Sequence, residues 1–181
     1  MNALIMYYSR KGRTEQLAKT IQSDLGCDIL KIEPDKPFGN FVSVLSRESH
    51  DRNKPENGTH AVTAVPDLSG YDVVLVGYPI WQTEMPEFLA QFLEACDFAG
   101  KTVIPFATCA STGIQPSLKR MSTVVGTDCD LLNPLCFGAG HHDDYRSWLN
   151  KTRELAELAA NKDDDRDQDD SDASDEEDGN A

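Results

Sequence analysis

Positive charge is scarce in this chain of 181 residues, which carries 17 Lys and Arg against 31 Asp and Glu for a net charge of −14. Residues 162–181 hold 11 acids and two bases, so the preceding body keeps 20 acids and 15 bases. Binding to nucleic acid requires clustered Lys and Arg that contact phosphates. The charge balance therefore excludes general nucleic-acid binding as a leading function.

Long apolar runs are also lacking. The longest, Ala3–Tyr8 and Val73–Trp81, fall well short of the roughly 18–20 apolar residues that a membrane helix needs. The first residues show neither the basic segment nor the long apolar stretch of a secretory signal peptide. We therefore expect no membrane span and no secretion.

Cysteines are few and widely spaced. The five, with no C-x-x-C pair, are Cys27, Cys96, Cys109, Cys129 and Cys136. An odd and scattered set favours reduced thiols in a cytoplasmic protein over a disulfide framework or a zinc site. With 39 % hydrophobic residues, the body can bury a core without such cross-links.

Short apolar runs alternate with segments of helical period over residues 1–161, a pattern typical of βαβ units around a parallel sheet. Strands are predicted at Leu4–Tyr8, Asp28–Glu33, Val73–Val76, Thr102–Ala107 and Leu131–Phe137. Helices are predicted before Gly26 and at Pro86–Cys96, after a capping box at Thr112–Gln115, and at Asp144–Ala160. These elements predict one α/β domain, a three-layer sandwich around a five-stranded parallel sheet.

Two stretches depart from this alternation. Residues Pro34–Gly70 are long and polar, and we expect an excursion with a helix near Phe41–Glu48. The acidic residues 162–181 have no large apolar side chains to offset the entropy of ordering, so a disordered tail is predicted there. Such a tail either serves solubility or docks on a basic partner.

The loop after the first strand, Ser9–Thr14, has the properties of an anion site. It leads into a helix N-terminus, where unpaired N–H groups and the helix dipole favour negative charge. Gly12 lets the backbone approach a phosphate, and Ser9 and Thr14 offer hydroxyl groups. Arg10, Lys11 and Arg13 reverse the sign of an otherwise acidic chain. The alternative is a capped helix start with surface bases.

Three segments resemble the flavodoxin family. They are Tyr8-Ser-Arg-Lys-Gly-Arg-Thr14, Val76-Gly-Tyr-Pro-Ile-Trp81 and Thr108-Cys-Ala-Ser-Thr-Gly113. The first is similar to the family's phosphate loop, the second to the loop after strand three in a bacterial subgroup, and the third falls where a further flavin-contacting loop lies. The resemblance implies the flavodoxin strand order 2-1-3-4-5 and FMN as cofactor, with the phosphate in Ser9–Thr14.

The resemblance also implies that the flavin ring rests between two loops. The residues concerned are Pro79, Ile80, Trp81, Gln82 and Thr83 in one loop, and Thr108, Cys109, Ala110, Ser111, Thr112 and Gly113 in the other. Trp81 is expected at the edge of the sheet with an exposed indole beside the ring; the alternative is a core or interface tryptophan.

The sequence departs from the family pattern in each loop. Lys11 stands where the family has a central Thr, and Cys109-Ala110 stands where the subgroup often has small residues or glycine. Many flavodoxins keep a glycine in the second loop whose peptide can rotate towards flavin N5, whereas Ile80–Glu84 has none. The resemblance therefore supports the phosphate site more strongly than it supports any expectation about the hydrogen bonding of flavin N5 or the redox potentials.

The leading hypothesis is a flavodoxin-like protein that carries electrons through non-covalently bound FMN between a reductase and an acceptor protein. No catalytic acid, base or nucleophile is predicted, and the cluster His141–Asp144 is interpreted as a helix cap rather than a metal site. The negative body should lower the flavin potential and steer the protein towards basic partners. The alternatives are an NAD(P)H-dependent FMN or quinone oxidoreductase on the same fold, and a flavin-free interaction module.

Overall fold

The alternating pattern folds as an α/β sandwich in the computed structural model, which describes residues 2–54, 57–110, 112–138 and 141–172. The strands are β1 (Ala3–Tyr7), β2 (Asp28–Lys31), β3 (Val73–Pro79), β4 (Thr102–Cys109), β5 (Asp130–Leu131), β6 (Leu135–Gly138) and β7 (His141–His142). The helices are α1 (Arg13–Leu25), α2 (Phe41–Asn53), α3 (Glu87–Glu94), α4 (Gln115–Val125) and α5 (Tyr145–Asp172).

The sheet confirms the predicted order 2-1-3-4-5. Its strands run β2-β1-β3-β4-β6-β7, with β5 also paired to β4, and all pairs are parallel except β6 with β7. The predicted fifth strand is divided into β5 and β6 around Asn133, whose φ is 49°, and Pro134, which has no N–H to donate. The two-residue β7 was too short to show a period in the sequence.

Helices cover both faces of the sheet. Ile5 and Tyr7 of β1 pack in a cluster with residues of α1 and α5, while Leu4 and Met6 pack in the opposite cluster with residues of α2, α3 and α4. All five residues of β1 are buried, as expected for a central parallel strand. The carboxyl ends of β1, β3 and β4 therefore meet at one edge, and the loops that follow them gather there.

The helix boundaries test two of the capping predictions. Gly26 ends α1 with φ 65° and donates its N–H to the Gln22 carbonyl at 2.8 Å, which confirms the predicted C-cap. Helix α4 instead begins at Gln115 with Ile114 as N-cap and no side-chain cap hydrogen bond among the described residues. The predicted capping box at Thr112 is therefore wrong, because the chain enters α4 through Gly113, whose φ is 69°.

The final helix is longer than its apolar stripe indicates. It continues to Asp172, whereas the sequence predicts a helix to Ala160 and disorder from Lys162. Extending an existing helix adds one backbone hydrogen bond per residue without a new nucleation cost, so an apolar face is not needed for each added turn. Disorder of residues 173–181 stays a prediction, since they lie outside the described residues. None of the described helices is long and apolar enough to cross a membrane.

Candidate functional site

The first loop leads into α1, whose N-terminus has no side-chain cap among the described residues. Gly12 is the N-cap of α1 in the left-handed conformation, φ 83°, and the Gln16 N–H donates to its carbonyl at 2.8 Å. No side chain of the described residues caps this end. The N–H groups of the first turn are therefore directed at the space above the loop, where an anion is favoured.

The loop side chains divide into exposed cations and inward hydroxyls. Lys11 and Arg13 are exposed, whereas Arg10 donates from Nη1 to the Gly39 carbonyl at 2.6 Å. Ser9 Oγ is buried and has no hydrogen-bond partner among the described residues. A buried hydroxyl without a partner costs free energy, and a phosphate oxygen at the loop would accept its hydrogen. The residues present thus fit a phosphate group.

Thr108 joins the three predicted loops. Its Oγ1 lies 2.8 Å from Thr14 Oγ1, and its carbonyl accepts from the Ile80 N–H at 2.9 Å. Thr14 is 1 % exposed, so its hydroxyl connects the first loop to the third. The sequence had instead suggested that this hydroxyl contacts a phosphate. The carboxyl ends of the strands thus bring the first, second and third loops into one site.

The second loop is a tight turn in a strained conformation. The Trp81 and Glu84 backbones exchange N–H···O bonds of 2.8 and 3.0 Å, which leaves Gln82 and Thr83 at the exposed tip. Gln82 has φ 56° and Thr83 has φ 100°, both in the left-handed region that favours glycine. Such residues cost roughly 1–3 kcal/mol each and cluster at functional sites. Because this loop contains no glycine, its sequence did not predict the left-handed conformation.

Trp81 is buried, so the expectation of an exposed indole is wrong. It is 5 % exposed and packs edge-on against Tyr8, with ring centroids 5.8 Å apart, and against Phe38, 4.8 Å apart. Phe38 and Tyr8 also contact Phe88 of α3. These four side chains, Tyr8, Phe38, Trp81 and Phe88, are called the aromatic cluster below. The physical reason is that the excursion folds back and places Phe38 on the indole.

The excursion is anchored on α3 by a buried carboxylate. Glu48 of α2 is 1 % exposed, and its Oε2 accepts from the Glu87 N–H at 3.1 Å, with Arg52 Nη2 3.8 Å away. Burial raises the pKa of Glu48 from 4.5 to about 7, against the lowering influence of the Glu87 N–H and Arg52. The region that covers Trp81 is therefore held by a group that titrates near neutral pH.

The third loop begins at a buried thiol pair. Cys109 is 6 % exposed, and its Sγ lies 2.8 Å from Sγ of Cys136 in β6. Ala110 and Thr112 are exposed and Gly113 is buried, while Ser111 lies outside the described residues. The spacing of the cysteines in the sequence, 27 residues apart, gave no signal that they meet.

A cleft beside the third loop was also missed. It has a volume of about 550 Å³ and lies between α1 and the start of α5. Its lining includes Arg13, Leu17, Thr108, Phe137 and Tyr145. Only Arg13 and Thr108 of these stood out in the sequence, because Leu17, Phe137 and Tyr145 are indistinguishable there from ordinary core residues.

Of the cluster His141–Asp144, Asp144 caps α5, while His141 and His142 form β7. Asp144 Oδ1 accepts from the N–H groups of Arg146 at 3.1 Å and Ser147 at 3.3 Å, which confirms the predicted N-terminal cap. Asp143 Oδ2 accepts from the Cys136 N–H at 2.7 Å. The described part of the chain contains no group of three or more His, Cys, Asp or Glu side chains arranged to hold a metal ion.

Comparison with known proteins agrees with this geometry. A family model described as Flavodoxin matches residues 2–152. Flavodoxin 1 of Salmonella typhimurium is 29 % identical over 135 residues, a match that spans 72 % of this chain and 60 % of that protein's length. A protein from Bacteroides uniformis described as a flavoprotein has a TM-score of 0.69 and 26 % identity, covering 84 % of this chain and 97 % of its own.

A more distant structure shares the fold alone. The flavoprotein of Lactobacillus acidophilus, solved in complex with FMN, has a TM-score of 0.57 at 18 % identity, covering 75 % of this chain and 91 % of its own. The family match, by contrast, extends over most of the chain and includes all three loops of the site. This protein therefore belongs to the flavodoxin family.

Proposed function

We propose that the protein is an FMN-binding redox carrier that transfers electrons between partner proteins through a non-covalently held flavin. The observation that carries the proposal is the first loop, where a helix N-terminus and the Ser9 hydroxyl, both without a side-chain partner among the described residues, lie beside the exposed cations Lys11 and Arg13. In a chain whose net charge is −14, binding of an anion explains why these donors and cations lie in one loop.

The phosphate of FMN would lie in Ser9–Thr14. The first-turn N–H groups of α1 and Ser9 Oγ would donate to its oxygens, and Lys11 and Arg13 would offset its charge. Gly12 keeps the left-handed conformation that opens the loop, and no atom lies within 4 Å of where its Cβ would be. The loop thus holds phosphate by backbone shape as much as by charge.

The flavin ring would rest between the second and third loops, as the resemblance implies. The aromatic cluster supplies apolar surface that excludes water, with Trp81 as an inner wall under Phe38. The exposed peptide between Gln82 and Thr83 is a backbone group suited to hydrogen-bond the edge of a ring. When bound, FMN supplies the reversible uptake of one or two electrons, and the chain tunes that chemistry by position and charge.

Membership of the flavodoxin family supports FMN as the cofactor, as does the structure of the Lactobacillus acidophilus flavoprotein in complex with FMN. Titration of the purified protein with FMN, and then with riboflavin, tests the proposal. Flavin absorption bands that shift on binding, with FMN bound much more tightly than riboflavin, are expected because riboflavin lacks the phosphate. Absence of binding at micromolar FMN would contradict the proposal and leave a flavin-free interaction module.

The redox partners would present basic surfaces. The chain is acidic both in residues 162–181 and in the body, and opposite charge accelerates encounter. We expect the rate of electron transfer to fall as ionic strength rises, because salt screens this attraction. Stopped-flow transfer to a basic acceptor protein at several salt concentrations measures the effect, and rates that do not change with salt would contradict it.

The cleft between α1 and α5 favours a second candidate, an NAD(P)H-dependent FMN or quinone oxidoreductase. Such an enzyme needs a pocket for a second substrate, and the cleft of about 550 Å³ adjoins the third loop at Thr108 and Cys109. Steady-state oxidation of NADH or NADPH with a quinone acceptor separates the two functions. Turnover without any added reductase would favour the enzyme over the carrier.

A further inference from the structure

Two cysteines meet at the carboxyl edge of the sheet. Cys109 ends β4, Cys136 lies in the adjacent β6, and their sulfur atoms are 2.8 Å apart. Both are free thiols and are nearly inaccessible, at 6 % and 3 % exposure. A disulfide bond is about 2.05 Å long, so less than about 1 Å of sulfur movement separates the thiol pair from a bonded one.

The backbone around the pair is fixed on both strands. Gly138 is the register partner of Cys109, and a Cβ placed on it would lie 1.8 Å from the Cys109 carbonyl oxygen and 3.0 Å from its sulfur. Glycine at this position therefore allows the close approach of β6 to Cys109. On the other strand, the Cys136 N–H donates to Asp143 Oδ2 at 2.7 Å. The sulfurs are thus held together by the sheet and not by a flexible loop.

We propose that Cys109 and Cys136 form a reversible intrachain disulfide, a redox modification site at the edge of the sheet. The proposal does not depend on the proposed function, because it rests on the sulfur distance and the register of β4 with β6. Intracellular disulfides that form transiently in this way are usually catalytic or redox-sensing.

The oxidant is a peroxide that reaches Cys109 through the cleft beside the third loop, which this residue lines. Attack of the Cys109 sulfur on hydrogen peroxide breaks the O–O bond, gives a sulfenic acid and releases water. The Cys136 sulfur then attacks the Cys109 sulfur, the S–S bond forms, and the hydroxyl leaves as a second water. Two thiols are oxidised, and one peroxide is reduced by two electrons.

The same environment makes the bond persistent. Burial, the neighbouring Cys109 thiol and Asp143 all raise the pKa of Cys136 above its usual range. A thiol of high pKa is a poor leaving group, so reductants would displace it from the disulfide slowly, and the scarcity of its thiolate would likewise slow the step in which Cys136 attacks the sulfenic acid. The bond would tie β6 to the start of the third loop, one residue from Thr108, which joins the three loops of the site.

Mass spectrometry of the full chain tests the proposal. The reduced protein is treated with hydrogen peroxide or, separately, with the dithiol oxidant diamide, then unfolded in N-ethylmaleimide. We expect three labelled thiols in place of five, and full labelling again after treatment with dithiothreitol. Trypsin should yield Thr102–Lys119 linked to Met121–Arg146, the peptides that contain Cys109 and Cys136.

Cys129 supplies the matched control because it lies in the same tryptic peptide as Cys136. Its sulfur instead donates to the Val125 carbonyl of α4 at 3.6 Å. Cys129→Ser should keep the linked peptides, whereas Cys109→Ser and, separately, Cys136→Ser should lose them. Five labelled thiols after both oxidants, or a link to any other cysteine, would overturn the proposal. The wild-type result alone decides this if a variant fails to fold.

Discussion

The two halves of the site are built by different means. The half proposed for the phosphate, Ser9–Thr14, is a surface loop in which a left-handed Gly12 and a helix N-terminus lie next to each other in the chain. The half proposed for the ring is assembled from distant segments: Trp81 lies under Phe38 of the excursion, and the turn beside it holds Thr83 at φ 100°. The first half is formed by consecutive residues, whereas the second depends on contacts between segments that are distant in the sequence.

The affinity for the phosphate and the tuning of the flavin would therefore arise in different parts of the proposed site. A loop that binds through backbone N–H groups depends on its backbone conformation more than on its side chains. An aromatic wall supplied by a long excursion can change whenever the excursion does. Variants of the two halves should therefore separate the affinity for FMN from the affinity for riboflavin, which lacks the phosphate.

The largest effect is expected from Gly12→Val. A β-branched residue is strongly disfavoured at φ 83°, so the loop would leave its conformation and the anion site with it. A strain of roughly 3 kcal/mol corresponds to about 100-fold in affinity, and we expect the affinity for FMN to fall at least that much. Riboflavin affinity should change little. Titration of both ligands by flavin fluorescence measures the two constants.

Gly26→Val is the control for that variant. Gly26 lies at the other end of the same helix with φ 65°, and neither glycine has an atom within 4 Å of its Cβ position. Both variants strain α1, but only Gly12 touches the site. If Gly26→Val weakened FMN binding as much as Gly12→Val, the effect would come from helix stability and not from a phosphate loop.

Trp81→Ala should disrupt the half of the site that is proposed for the flavin ring. Removal of a buried tryptophan costs roughly 3–5 kcal/mol of folding free energy. Because Trp81 is the inner apolar wall of the proposed ring site, we expect the affinities for FMN and riboflavin to fall by the same factor, about tenfold or more for a loss above about 1.4 kcal/mol. Trp148→Ala is matched in type and in its 5 % exposure, but it packs on Tyr145 of α5. That control should lose stability and keep both affinities.

The same contrast explains what the sequence could predict. The strand–loop–helix structure around Ser9–Thr14 was predictable because its signals, an apolar run, Gly12 and a helical period, lie close together in the sequence, while phosphate binding by this loop stays a prediction. The order of the sheet followed from the family resemblance, and apolar runs located its strands. The Cys109–Cys136 contact and the cover of Phe38 over Trp81 were not predictable, since they depend on the register of β4 with β6 and on the path of the excursion.

The turn at Gln82 and Thr83 shows a different limit. Sequence rules assign left-handed positions to glycine, so a left-handed position in a turn without glycine cannot be predicted from the sequence. The two backbone hydrogen bonds between Trp81 and Glu84 close the turn in this conformation despite its cost. Local propensity and global structure disagree here, as is common at functional sites.

Glu48→Gln tests whether the excursion responds to pH. The pKa of Glu48 is about 7 in the folded state and 4.5 ordinarily, so between these values the folded chain binds the proton more readily than the unfolded chain. The stability that this proton supports is fully present below about pH 4.5 and is lost as pH rises through about 7, a change of roughly 3 kcal/mol. The charged groups that face Glu48 are Arg52 and Asp51 of α2 and Glu87 of α3.

Urea unfolding at about pH 5 and pH 8 measures this change. The wild type should lose stability between the two, and Glu48→Gln should lose much less, because its amide stays neutral and can still accept from the Glu87 N–H. Glu154→Gln, at a side chain 62 % exposed on α5, makes the same change of charge and should follow the wild type. An equal loss in all three proteins would show that Glu48 does not control the excursion.

The smallest effect is expected from Thr83→Gly, which gives the strained turn the residue it favours. Relief of a β-branched side chain at φ 100° is worth roughly 1–3 kcal/mol, and the added freedom of glycine in the unfolded chain costs roughly 0.4–1 kcal/mol. We therefore expect the free energy of unfolding, measured in urea, to rise by about 1 kcal/mol.

Thr112→Gly is the control. Thr112 lies at an exposed position of the third loop without positive φ, so this change relieves no strain and should lower stability. A loss in both variants would mean that the turn is relaxed as it stands. A gain in Thr83→Gly alone would show that the chain holds a costly conformation next to the proposed ring site, and so that the turn is kept for its backbone geometry rather than for stability.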